Sequence, residues 1–288
     1  MSVEVETKDW HKMDSWWKVH GEAHQKRIVE LYELMEELSK EWKQSDCRFD
    51  QDPLVEDWSD ESRKTGPIRP GLEENWSYWL AHLFRTPTGD FTKNLFGDRF
   101  DDKPEEVQCE LVFYDEGGKD RRADILLKYE TKGISIEVKI GDTNYGKTPH
   151  TANLIENDDD REWDHYILVP RSKKSLMKAI LGSNFQDHKD PYPTILSKKY
   201  PNIDVIYWRD VSQALRRTLL YGKNEDPHWQ SSAYLFINLI EQKISKIYNK
   251  NFVERNVVKE REPTFSDIKR IRSIETQDQI EYFKEVLR

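Results

Sequence analysis

The chain is 288 residues long, 34% charged and 36% hydrophobic, with a formal net charge of −9. That length holds one large domain or two small ones at about 150 residues each, and ten Trp, thirteen Tyr and eleven Phe argue against general disorder. The acidic balance speaks against a protein that lives by non-specific phosphate binding, and the two distant cysteines, Cys47 and Cys109, exclude a disulfide framework or a zinc site. No apolar run reaches the roughly 18–20 residues of a membrane span, and the first residues lack the basic-then-apolar pattern of a secretory signal. The expectation is a cytoplasmic protein with no membrane partner.

In chain order, Ile28, Leu31, Met35, Leu38 and Trp42 step by three and four and predict an amphipathic helix over 20–42. Residues 44–69, with Pro53, Gly66 and Pro67, read as a loop or linker. A second helix over 72–84 carries Trp76, Trp79, Leu80 and Leu83 as its buried stripe, and a turn-rich stretch follows to 105. Runs at 107–114, 122–129 and 134–140, separated by glycine-bearing turns, predict an antiparallel meander. A polar segment then leads to Trp163. Beyond it come a strand at 165–169, a helix at 172–181, a strand at 203–208, a helix capped by Asp210 or Ser212, and a strong helical pattern over 228–248. The last forty residues read as two short helices after a charged connector. Meander followed by mixed strand and helix gives an α/β or α+β core, with an N-terminal helical extension and linker over 1–64, the core over 65–250 and a helical tail over 251–288.

The informative stretch is RRADILLKYETKGISIEVKIG. A two-residue turn at Thr131-Lys132 sets Asp124 opposite Lys139 and Leu126 opposite Glu137. Side chains alternate with period two, so Asp124, Glu137 and Lys139 share one face, while Ile125, Leu127, Tyr129, Ile134, Ile136 and Val138 share the other. Both strands sort alike, which supports that parity. Two carboxylates and an ammonium over an apolar layer suit phosphodiester hydrolysis. That chemistry needs a hard cation on oxygen ligands, an activated water, and a fixed cation for the charge that develops. The same residues also make an ordinary cross-strand ion pair on a solvent face.

These residues resemble the D…(D/E)xK signature of the PD-(D/E)xK nuclease superfamily: Asp124, then Glu137-Val138-Lys139 after an apolar strand, with Ala123 where proline commonly precedes the aspartate. The helix from Glu74 to Phe84 resembles the superfamily's leading helix, and the resemblance covers about residues 70–245. It implies a restriction-endonuclease-like α/β fold, a mixed central sheet flanked by helices with extra helical segments at both termini. It also implies a Mg²⁺-dependent nuclease, with Mn²⁺ able to substitute, cutting nucleic acid, most often DNA, in restriction, repair or antiviral defence. Asp124 and Glu137 are then the metal ligands, with the carbonyl of Val138 as a third oxygen, and Lys139 orients or deprotonates the water. The leading helix adds an acid, Glu74 by position with Glu73 second. Single-site enzymes of this kind usually act as two copies, so a homodimer is expected, with defence-system proteins as further partners. A catalytically inactive binding subunit of the same fold is one alternative, and a nucleotide-binding protein that uses the segment Gly141–Thr148 is the other.

Gly141 to Thr148 fits the phosphate-cradling pattern G-x-x-x-x-G-K-[ST]. Against it, the strand before it carries Glu137 and Lys139, and Pro149 follows at once. As a loop beside the site, it offers Lys147 to a phosphate. Arg122, Lys173 and Lys174 are the other nucleic-acid-binding candidates, with Arg216-Arg217 weaker. The eight histidines show no ligand spacing.

Overall fold

The computed structural model describes residues 7–57, 72–85, 88–115, 118, 120–187, 192–223, 226–257 and 273–288. The chain forms two compact units: Met1–Gln44 with Phe49–Asp57 and Ile247–Arg288, and Ser45–Arg48 with Trp58–Lys246.

In the first unit, helix α1 (Thr7–Gln44) is longer than its apolar stripe predicts. Ile28, Leu31, Met35, Leu38 and Trp42 are all buried. A 3-10 turn, Pro53–Val55, interrupts the expected linker, capped by Asp52 through the amide of Leu54. The terminal helices come later in the chain, Lys250–Val257 and Ser273–Val286, and both pack on α1. Lys284 pairs with Glu30 at 2.6 Å. The charged connector itself falls mostly outside the described residues.

The second unit is a seven-stranded mixed sheet flanked by helices. Helix α2 (Glu73–Phe84) leads in, followed by α3 (Asp90–Phe96) and a 3-10 turn, Asp98–Phe100. These two elements lie in the stretch expected to be only turns. Their seven and three residues are too short to register as periodicity, and Phe91, Leu95, Phe96 and Phe100 make them core. Strands β1 (Glu106–Tyr114), β2 (Asp120–Lys128) and β3 (Lys132–Val138) form the expected antiparallel meander. Helix α4 (Thr148–Asp158) then crosses to β4 (Glu162–Val169), which runs parallel to β3. The polar segment 141–163 therefore contains a helix, with Pro149 tolerated in its first turn, where the missing N–H costs nothing.

Helix α5 (Lys174–Leu181) and the two-residue strands β5 (Phe185–Gln186) and β6 (Thr194–Ile195) precede β7 (Ile203–Tyr207). The sheet order is β1-β2-β3-β4-β7-β6-β5. Helix α6 (Trp208–Tyr221) starts two residues before the predicted cap, because Asp210 caps it from inside the first turn, accepting the amide of Tyr207 at 2.8 Å. Asp226 and Pro227 open α7 (Pro227–Leu239), which passes into a π-helical turn, Ile240–Ile244.

The sheet is apolar on both faces. Ile125, Leu127, Ile134, Ile136 and Val138 are buried, and on the alternate face Leu126 packs with Ile155 of α4 and Trp163 of β4. Gly133 makes room for that indole: a Cβ there would lie 2.6 Å from the Trp163 ring. The same face holds a polar chain that runs from buried Ser135 and His165 out to exposed Glu156, with Ser135 Oγ 2.7 Å from His165 Nδ1 and His165 Nε2 3.4 Å from Glu156.

Burial pushes His165 down to about 4 from the ordinary 6.5. The fold keeps the ring neutral, whereas the unfolded chain protonates it near 6.5. Stability is whole above that value, falls as pH drops through it, and stops falling near 4. At 1.36 kcal/mol per unit the loss reaches about 3 kcal/mol. Denaturant midpoints measured from pH 7.5 to 4 are expected to fall less in His165→Gln than in the wild type; parallel curves would refute this.

Candidate metal-dependent active site

The site forms where the N-terminus of α2 meets the middle of β1 and β2, the end of β3 and the loop after β3. Its register differs from the predicted one by two residues. Ile125 pairs with Ile136 and Lys128 with Gly133, and Tyr129 N donates to Lys132 O at 2.9 Å, so the turn is Glu130-Thr131. Asp124 is therefore level with Glu137 and not with Lys139. The cause is Gly133, which reads as a turn residue but serves inside the strand, beneath Trp163. An even slip preserves the faces, and Asp124, Glu137 and Lys139 line one cavity of about 240 Å³.

Asp124 Oδ2 accepts the amide of Val138 at 2.6 Å. In a strand, a residue's carbonyl leaves on the same side as its N–H, which turns the Val138 carbonyl toward Asp124. Lys139 Nζ lies 2.9 Å from Glu137 Oε1, 3.3 Å from Asp142 Oδ2 and 4.0 Å from Glu73 Oε2. Burial and the charge of Glu137 push the Asp124 carboxyl up to about 8. Burial works against the Lys139 ammonium, but the charge and hydrogen bond of Glu137 outweigh it and hold its pKa above the ordinary value.

Glu73 and Glu74 have different surroundings. Glu73 Oε1 accepts three successive amides, Ile140 at 2.7 Å, Gly141 at 2.9 Å and Asp142 at 3.1 Å. Glu74, at the cavity rim, pairs with Arg122 Nη2 at 2.9 Å. Arg122 Nε also lies 2.6 Å from Glu110 Oε2. Glu110 sits within β1 at φ 60, a left-handed conformation that costs a non-glycine residue on the order of 1–3 kcal/mol. Its neighbours pair as Cys109 with Ile125 and Leu111 with Ala123, which sets it beside Asp124. Burial pushes its carboxyl up against the opposing pull of Arg122.

Sequence reasoning missed Glu110 and Asp142. The β1–β2 connection spans 115–119, too long for parity to carry from one strand to the next, so Glu110 gave no signal. Asp142 lies in the P-loop-like stretch, where the glycines and Lys147 drew the reading. Among the nucleic-acid candidates, Arg122 and Lys147 line the cavity. Lys173 and Lys174 do not line it; Lys174 pairs with Asp187 at 2.6 Å. Arg216 is fully buried against Glu241 and presents nothing to a nucleic acid.

Among the described residues no group of three or more His, Cys, Asp or Glu side chains is set to hold a metal ion. A magnesium ion needs less, one or two carboxylates with waters and substrate oxygens completing its shell. Asp124, Glu137 and the Val138 carbonyl are a hard, all-oxygen set. The cavity carries seven carboxylates (Glu73, Glu74, Glu110, Asp120, Asp124, Glu137 and Asp142) against four cations (Arg121, Arg122, Lys139 and Lys147), a formal −3 that a divalent ion offsets. The residues fit such an ion. Among the described residues, no helix is long and apolar enough to cross a membrane.

No protein-family model matches the chain, and no curated protein matches it. A search of solved structures finds the small subunit of the heterodimeric restriction endonuclease R.BspD6I, 13% identical, covering 63% of this chain and 94% of that one at a TM-score of 0.26.

Proposed function

We propose that this chain is a Mg²⁺-dependent nuclease that hydrolyses phosphodiester bonds of nucleic acid, DNA in the first instance. The supporting observation is the convergence of Asp124, Glu137 and Lys139 in one cavity with an uncompensated negative charge. A phosphate does not enter such a cavity unaided; a divalent ion on Asp124, Glu137 and the Val138 carbonyl would supply the positive charge and Lewis acidity that a phosphodiester requires.

The chain's own groups have separable tasks. The Val138 amide orients Asp124. Glu137 keeps Lys139 protonated, which suits the ammonium to orienting the attacking water and compensating charge, not to removing a proton. Arg122 and Lys147, on the cavity wall, meet the flanking phosphates. Two copies, one for each strand, give a double-strand cut, in the setting of restriction, defence or repair.

The phosphate-cradling reading of 141–148 has no comparable support, because Glu73 already takes the amides of Gly141 and Asp142. The test incubates pure protein with plasmid, linear and single-stranded DNA and with RNA, in Mg²⁺, Mn²⁺ or chelator. Cleavage is expected only with metal, and Asp124→Ala is expected to lower it about 10³-fold. Cleavage unchanged in chelator or in Asp124→Ala overturns the proposal.

A further inference from the structure

The loop after β3 reads as a phosphate cradle, yet its amides point at a side chain of the same protein. Three consecutive N–H groups, of Ile140, Gly141 and Asp142, converge on one oxygen of Glu73. Successive amides that converge in this way form an anion-binding nest. The other Glu73 oxygen faces Lys139 Nζ at 4.0 Å, and Lys139 lies immediately before the nest in the chain. Glu73 begins α2. Its carboxylate thus ties the leading helix to the segment that follows the catalytic strand.

We infer that Glu73 is a positioning residue: it acts as a built-in anion in a backbone nest and fixes Lys139 and Asp142 relative to Asp124 and Glu137. The task requires a hydrogen-bond acceptor at the nest and not a ligand to the metal. Glu73 Oε1 is committed to three amides, a demand that an ion would have to break. At the start of the P-loop-like stretch the anion is therefore Glu73.

The inference rests on the nuclease reading for its catalytic consequence and on the nest alone for its binding consequence, so the test reads both. Glu73→Ala empties the nest. Its cleavage rate is expected to fall about 10²-fold, the usual cost of a misplaced catalytic group, with KM for DNA changed less than about threefold because no substrate contact is lost. Formate at about 0.1 M is the probe, against chloride at equal ionic strength. As a carboxylate small enough for the vacated nest, it is expected to restore at least about tenfold of the rate and to raise the melting temperature of Glu73→Ala but not of the wild type. Glu73→Gln keeps an acceptor oxygen and is expected to cleave within about fivefold of the wild type.

Wild-type rates in Glu73→Ala, no formate effect on rate or melting, or a Glu73→Gln variant as inactive as Asp124→Ala each overturn the assignment. If Glu73→Ala fails to fold, Glu73→Gln decides: activity kept supports the acceptor role, and activity lost refutes it. If the wild type cleaves nothing, the nuclease proposal fails on its own, while the formate-dependent melting shift still tests the nest.

Discussion

Lys139→Met is expected to cleave about 10²–10³-fold more slowly than the wild type, the range seen when one preorganised charge is removed from a transition state, while its affinity for Mn²⁺ holds or rises. The two halves of that expectation have one cause. Lys139 lies within 4.0 Å of three carboxylates, those of Glu137, Asp142 and Glu73. Removing the ammonium makes the cavity more negative, which favours a divalent ion at Asp124 and Glu137. On the nuclease proposal it also strips the site of the cation that would face a developing oxyanion. Lys139→Arg keeps the charge but spreads it over a planar fork, so its rate is expected to fall between the two. Calorimetric titration with Mn²⁺ and single-turnover cleavage give the two numbers. If affinity and rate fall together, Lys139 works by ordering the carboxylates and has no separate task on the substrate.

The face that carries this site was legible in the sequence because one side of a hairpin is a core surface. Ile125, Leu127, Ile134, Ile136 and Val138 had to point one way, so Asp124, Glu137 and Lys139 had to point the other. The exact pairing was not legible. Gly133 looked like a turn residue, and only its contact with Trp163, thirty residues away, places it inside the strand. Local chemistry proposes a turn, and a distant indole decides it.

The rest of the site comes from pieces whose placement depends on long-range geometry. Glu73 and Glu74 are adjacent on one helix, and position alone ranks Glu74 first. Their separation follows from how α2 meets the end of β3, which brings Glu73 to the amides of 140–142 and leaves Glu74 to Arg122. Glu110 is hidden for a related reason: its left-handed backbone is a conformation that the sequence of an ordinary β-strand does not announce. The short α3 escaped because periodicity needs more than two turns to register, and α4 because its eleven residues carry few apolar side chains and open on Pro149. The long elements, α1, α2 and the meander, were visible because their stripes span many residues.

Glu241→Leu is expected to cost about 3–5 kcal/mol of stability, the toll of a buried charge that loses its partner. Arg216 and Glu241 are both 0% exposed, with Nε to Oε1 at 2.6 Å and Nη2 to Oε2 at 2.8 Å. The pair joins α6 to the π-helical turn after α7. Against a typical total of about 5–15 kcal/mol, the single change leaves little margin. Arg216→Met with Glu241→Leu removes the stranded guanidinium and is expected to recover most of the loss, since matched apolar groups often replace a buried pair at no net cost. Denaturant unfolding followed by tryptophan fluorescence checks both, with the midpoint shifting and the slope unchanged. Equal destabilisation of the single and double variants would show that the geometry of the pair, and not its charge balance, holds α6 in place. The proposed activity depends on that outcome, because Trp208, the first residue of α6, donates its indole N–H to the Lys139 carbonyl at 3.2 Å. A loosened α6 would then release the backbone of the residue to which the proposal gives the attacking water.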